Sequence, residues 1–212
     1  MLFDKAYFDK QYRNYVRQNP PRKLAFYRQL VEKAAGSKCR PRILDIGCAF
    51  GLFLASFDER WQRWGEDASE YAIRRAKQES QPISYGVTLE GRHPFAGPFD
   101  VITAWDVLEH VSEVGGLLDW IRENLAPGGA FVFVVPVYDG LTGPIVRMLD
   151  RDPTHLHKRT RNYWLKAAGD RLQLIDWWGI YRFLLPAGPY MHVVTHALRN
   201  HTPAIACFSR HR

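Results

Sequence analysis

The sequence predicts an α/β domain, a doubly wound and mostly parallel sheet with helices on both faces. Three observations lead there. From residue 42 onward, short runs rich in β-branched and aromatic residues alternate with segments of helical periodicity. The run Ala130 to Val135 is apolar throughout, as a strand buried on both faces requires. A small-residue turn, Gly47-Cys48-Ala49-Phe50-Gly51, separates the first such strand from the helix that follows it.

The elements follow in order. Residues 1–38 carry Phe3, Tyr7, Phe8, Tyr12 and Tyr15, then Leu24, Phe26, Tyr27, Leu30 and Val31 at helical spacing, split by Asn19-Pro20-Pro21. This predicts two helices joined by a proline turn. Arg42 to Ile46 is the first strand and Leu52 to Arg60 the helix after it. Trp61 to Glu66 is a second strand, and Ser69 is placed to cap the helix that runs to Lys77. Ile83 to Leu89 is a weaker strand and Phe99 to Ala104 a clear one. Ser112 to Leu125 is an amphipathic helix closed by Pro127-Gly128-Gly129, before the strand Ala130 to Val135. Beyond residue 138 the pattern loosens: a short helix Pro144 to Leu149, another from Asn162 to Ala168, and strands at Leu172 to Phe183 and Ala204 to Ser209.

The 212 residues suit one domain, organised as an N-terminal helical lid (1–38), a core (39–137) and a last segment (138–212). With 46% hydrophobic and 24% charged residues the chain is not disordered. No apolar run approaches the ~20 residues of a membrane span, so no membrane insertion is expected. The opening residues lack a signal-peptide pattern. Three widely spaced cysteines, Cys39, Cys48 and Cys207, argue against a disulfide framework or a zinc site and suit a reducing cytoplasm. Charge is uneven. Residues 1–38 carry nine Lys and Arg against three Asp and Glu, residues 39–146 nine against fifteen, and residues 147–212 eleven against four. Both flanks are basic and face either solvent or an anionic partner.

The turn at residues 47–51 is where an open α/β sheet binds ligands, beyond the carboxyl ends of its strands. A dinucleotide fingerprint needs Gly-x-Gly-x-x-Gly, but these positions read Gly47, Ala49 and Leu52. The template acid-x-Gly-x-Gly-x-Gly fits better, with Asp45, Gly47 and Gly51 present and Ala49 in place of the middle glycine. At the end of the second strand, Asp67 is placed to accept hydrogen bonds from both hydroxyls of a ribose. It would equally favour the first turn of the next helix through the helix dipole.

The set Asp45-Ile46-Gly47-Cys48-Ala49-Phe50-Gly51, Gly65-Glu66-Asp67-Ala68-Ser69, Phe99-Asp100-Val101-Ile102 with Val107-Leu108-Glu109-His110-Val111, and Leu125-Ala126-Pro127-Gly128-Gly129 resembles the class I S-adenosylmethionine-dependent methyltransferases, in their small single-domain branch. The match covers about residues 40–137. It implies a Rossmann-like methyltransferase fold of seven strands with an antiparallel last strand. It implies S-adenosylmethionine as cofactor, with Asp45, Gly47, Cys48, Ala49 and Gly51 around its methionine portion. Asp67 and Ala68 would then lie at the ribose, and Trp105, after the fourth strand, beside the sulfonium. The family's adenine-binding Asp after the third strand is missing; backbone near Val87 and Thr88, or Glu90, takes that place.

The resemblance also puts a short histidine segment, here Asp152 to Lys158, at the acceptor pocket. His155 and His157 are the candidate base or acceptor-binding groups, and an extended segment would point them the same way. Both would otherwise be loop histidines bonded to the backbone. His110, after the fourth strand, is a third candidate, or a cap for the next helix. His192 and His196 have the spacing of a zinc helix but lack its Glu, so no metal site is assigned. Asn19-Pro20-Pro21 resembles a nucleic-acid methyltransferase motif but stands in the wrong place, and reads as a helix breaker. The expected activity is methyl transfer to a small-molecule acceptor, hydroxylated or anionic. RNA methylation through the basic flanks is the alternative, although no RNA-binding module is present, and an inactive cofactor-binding module is a third reading. The sequence sets no oligomeric state.

Overall fold

A computed structural model describes residues 3–11, 15–79, 82–89, 91–184 and 190–211. Tyr12 and Glu90 lie outside them. Eight strands form one sheet: β1 (Arg42–Ile46), β2 (Gln62–Asp67), β3 (Ser84–Val87), β4 (Phe99–Trp105), β5 (Leu125–Pro136), β6 (Gln173–Leu184), β7 (Tyr190–Thr195) and β8 (Ala204–Arg210), in the order β3-β2-β1-β4-β5-β8-β6-β7. Strands β1 to β5 pair in parallel. β8 inserts antiparallel between β5 and β6, and β7 pairs antiparallel with β6 at the edge.

The helices are α1 (Lys5–Gln11), α2 (Tyr15–Gln18), α3 (Pro21–Ala35), α4 (Leu52–Ala55), α5 (Glu70–Glu79), α6 (Val114–Asn124), α7 (Gly143–Leu149) and α8 (Arg161–Gly169). The central strands read as continuous apolar runs because both faces are covered. Ile43, Val101, Val132 and Val134 point to a core shared with α3, α4 and α5. Their neighbours Leu44, Ile102, Phe131 and Phe133 point to a second core shared with α6 and α8. A period of two along each strand thus feeds two separate cores.

Local signals explain several boundaries. Pro21 occupies the first turn of α3, where its missing N–H costs nothing. Ser69 Oγ accepts from the Ala72 N–H at the start of α5. Thr160 does the same for α8, accepting from Tyr163.

The helix expected before the prolines is described as α1 and α2, and residues 12–14 between them lie outside the described residues. One reading needs correction. Residues 192–196, with zinc-helix spacing, lie on and just beyond strand β7, which the sequence reading missed. β7 makes the sheet eight-stranded, and two strands, β7 and β8, run antiparallel to β1. His192 is buried against Phe26 and Tyr27, with ring centroids 5.6 Å from each, and this apolar setting pushes its pKa down to about 4.

The strand order reverses between β1 and β4. Their carboxyl ends therefore open a crevice, and the loops that follow them, residues 47–51 and 105–111, sit at its mouth.

Candidate active site

A cleft of about 260 Å³ opens at that switch point. One wall is the loop after β1. Gly47 and Gly51 hold positive φ angles of 71° and 78°. A Cβ on Gly47 would lie 2.3 Å from Val107 Cγ2, on a stiff β-branched side chain. The loop after β1 is thereby packed against the segment after β4. Gly47→Ala is expected to cost roughly 2–4 kcal/mol, from a left-handed non-glycine residue and overpacking together. Urea unfolding should show that loss, and titration should show weakened cofactor binding.

Ala49 also has a positive φ, 47°, although it carries a side chain. It is fixed there because its N–H donates to Asp67 Oδ2 at 2.9 Å. Asp67 Oδ1 accepts from the Ser69 N–H at 2.8 Å. Each oxygen keeps a further lone pair for a ribose hydroxyl.

Asp45, Asp67 and Glu66 lie close together at the ends of β1 and β2. Burial, and then the neighbouring carboxyls, push Asp45 up to about 8, although Thr103 donates to its Oδ1 at 2.6 Å. Burial likewise raises Asp67 to about 6, against two backbone hydrogen bonds. A cationic ligand would relieve this crowding of acids. The donor set therefore suits a molecule with an ammonium, a sulfonium and a ribose.

The cleft lining includes Asp45, Gly47, Cys48, Ala49 and Trp105 but not Gly51, Asp67, Ala68 or Val87. Trp105 stacks on Tyr27 with centroids 4.2 Å apart and planes 3° from parallel. Its Nε1 is buried without a hydrogen-bond partner. Val87 pairs in register with Asp67 at the end of β3, and the Thr88 N–H donates to the Asp67 carbonyl.

The other wall comes from the segment after α7. Asp150 Oδ2 accepts from Tyr138 Oη at 2.5 Å, His155 Nδ1 at 2.8 Å and Lys158 Nζ at 3.1 Å. Burial alone would raise its pKa, but these donors outweigh it and hold the carboxyl well below the usual range. An ionised carboxylate only accepts, so His155 donates to it through Nδ1. His155 lines the cleft.

His110 lines it too, with its ring centroid 4.7 Å from that of His155. Its Nδ1 donates to the Thr154 carbonyl at 3.0 Å, and burial beside His155 lowers its pKa. His157 does not join them. A turn, in which Asp152 Oδ1 accepts from the Thr154 N–H, breaks the extended geometry expected for this segment. His157 Nε2 instead donates to the Val111 carbonyl at 2.9 Å, and its ring packs near Trp164. It supports the loop after β4 and lies outside the cleft lining.

Glu109, Asp106 and Arg182 line the cleft and escaped the sequence reading as site groups. Glu109 is buried, and burial raises its pKa well above the ordinary value. Glu109, His110 and His155 each present a donor atom within 4.8 Å of the others, a spacing a divalent cation can share. Asp106, with φ 58°, forms an ion pair with Arg182 of β6. Tyr7 of α1 donates to Asp152 at 3.2 Å, which ties α1 to the segment that carries His155. Phe8 packs on Phe50, Ala49 and Ala72, over the loop after β1.

The model of a methyltransferase domain matches residues 12–196. The chain belongs to the methyltransferase domain family. S-adenosylmethionine is that family's methyl donor, and the residues present fit it. The ubiquinone biosynthesis O-methyltransferase of Nitrobacter winogradskyi is 38% identical over 93 residues, 42% of this chain and 36% of that protein. Its counterpart in Caulobacter sp. is 36% identical over 106 residues, 43% of this chain and 39% of that protein. The chain thus spans well under half the length of these relatives.

Among solved structures, an S-adenosylmethionine-dependent methyltransferase from Thermotoga maritima superposes with a TM-score of 0.68 at 12% identity, over 97% of this chain and 98% of that one. The N-methyltransferase NodS from Bradyrhizobium japonicum, in complex with S-adenosylhomocysteine, superposes with a TM-score of 0.61 at 20% identity, covering 90% and 88%. At these identities the superpositions speak for the fold.

Proposed function

We propose that this methyltransferase acts on a small hydroxylated or anionic acceptor, with His155 as general base. One observation carries the reading. The Gly47–Ala49 loop and His155, which is bonded to Asp150, line the same cleft. Bound there, S-adenosylmethionine would supply an electrophilic methyl group whose sulfonium sulfur leaves as a neutral thioether. The protein then has to align the acceptor and exclude water, which together lower a barrier by roughly 7–11 kcal/mol.

The residues divide these tasks. Gly47 to Gly51 and Asp67 hold the cofactor; Ala68 and Val87 border its adenosine half. Trp105 and Tyr27 present a flat apolar wall beside the reacting centre. His155 takes the proton of an acceptor hydroxyl on Nε2, while Asp150 keeps Nδ1 protonated and stabilises the imidazolium. His110 orients the acceptor from the neighbouring position. Tyr7 of α1, fastened to Asp152, and Tyr15 and Gln18 of α2 close the cleft. The Nitrobacter and Caulobacter relatives are O-methyltransferases, which agrees with a hydroxyl acceptor.

The test is methyl transfer from labelled S-adenosylmethionine to a panel of phenols, catechols and hydroxy acids, beside matched amines and a structured RNA. Turnover confined to hydroxyl acceptors supports the reading. Turnover confined to the amines or to the RNA contradicts it.

A further inference from the structure

Helix α7 turns its apolar side outward. Its one buried residue is Gly143. Ile145, Met148 and Leu149, at positions i, i+3 and i+4, share one face and are 55%, 71% and 65% exposed. Leu141 and Leu156 flank them, also exposed. Between residues 141 and 159 every exposed charged side chain is cationic: Arg147, Arg151 and Arg159. The two acids of the segment are engaged inside. Asp150 accepts from Tyr138, His155 and Lys158, and Asp152 from Tyr7 and Thr154. The outer surface is therefore an apolar stripe with a basic rim, on the flank whose surplus of Lys and Arg the methyl-transfer chemistry leaves unused.

We propose that this face docks on an anionic lipid surface, with α7 lying in the plane of the headgroups. Contiguous exposed apolar surface is uncommon on soluble proteins and marks an interaction site. An apolar helix face bordered by arginine fits the boundary between acyl chains and anionic headgroups. Two-fold self-association suits it less, because pairing the same patch would bring Arg151 and its neighbours against their own copies. A nucleic acid would meet leucine and methionine where it needs polar partners. Docking is peripheral, since no helix among the described residues is long and apolar enough to cross a membrane. The same segment carries Asp152 and His155 into the cleft. Its mouth then opens beside the lipid, within reach of an acceptor dissolved there.

The experiment is co-sedimentation of the full chain with phosphatidylcholine vesicles, with and without one-third phosphatidylglycerol, at low and high salt. Binding is expected to be about ten-fold or more tighter to the anionic vesicles and to weaken with salt. Met148→Asp combined with Leu149→Asp should abolish it, and Arg151→Glu should weaken it several-fold. Both variants should bind S-adenosylhomocysteine as the wild type does, which shows that the fold is intact and separates this surface from the methyl-transfer reading. Absence of binding to anionic vesicles would overturn the proposal, as would equal binding by the double variant. A concentration-dependent dimer that the double variant abolishes would also overturn it, by assigning the face to a second copy.

Discussion

His155→Ala is expected to lower kcat for a hydroxyl acceptor by roughly 10²–10⁴-fold, the usual contribution of a positioned base. The affinity for S-adenosylhomocysteine should stay near the wild-type value, because the proposed cofactor residues, Gly47 to Gly51 and Asp67, do not include His155. Asp150→Asn should cost less. It removes the charge that fixes the tautomer and stabilises the imidazolium, but leaves Nε2 in place. Single-turnover rates with saturating cofactor distinguish these effects from binding. Equal rates for the alanine variant and wild type would remove His155 from the chemistry. The grouping of Glu109, His110 and His155 offers a second route for the same residue. If His155 acts as a base, turnover is insensitive to a chelator. If it shares a cation with its neighbours, a chelator suppresses turnover and a divalent metal restores it.

Asp67→Ala carries the second large effect. Two hydrogen bonds from ribose hydroxyls to a carboxylate are worth about 3 kcal/mol together, so S-adenosylhomocysteine should bind roughly 100-fold more weakly. Asp67 also fixes the Ala49 and Ser69 N–H groups, and Asp67→Asn keeps an acceptor for only one of them, so urea unfolding of both variants reports the loss of loop structure. The pH dependence has a definite sign. Burial raises Asp67 to about 6, and the protonated acid has lost part of its accepting capacity. Affinity should therefore fall as pH falls through about 6, and Asp67→Asn should remove that slope. Asp45, raised to about 8, stays protonated across this window and adds none. By the same linkage, both raised carboxyls stabilise the free protein at low pH and release that stability as pH rises through about 6 and then about 8. A cationic ligand restores it.

The fold was legible wherever burial on both faces writes a simple pattern. Ile43-Leu44 and Ala130 to Val135 could be placed as strands because each of their side chains meets one core or the other. The edge was harder. β7 reads Tyr-Met-His-Val-Val-Thr, half-buried and preceded by Pro-Ala-Gly-Pro, and its contacts with Phe26 and Tyr27 of α3 come from tertiary packing. The candidate cofactor loop could be read because it is local: Gly47, Ala49 and Gly51 need left-handed backbone within five residues.

The acceptor wall could be read only in part. His155 was named, but the turn at Asp152 to Thr154 that sends His157 to the Val111 carbonyl has no signature in the spacing of the two histidines. Asp106 and Arg182 stand 76 positions apart in the chain, and the sheet alone brings them together. Glu109 sat in a recognised motif, yet its burial beside two histidines follows from how the loop after β4 meets the segment after α7.

Isothermal titration of the wild-type protein with S-adenosylhomocysteine, run beside NAD, bears most directly on the cofactor assignment. Micromolar binding of S-adenosylhomocysteine with no heat from NAD is the predicted result. Silence with S-adenosylhomocysteine, or tighter binding of NAD, would contradict it and leave the Gly47 loop to another ligand.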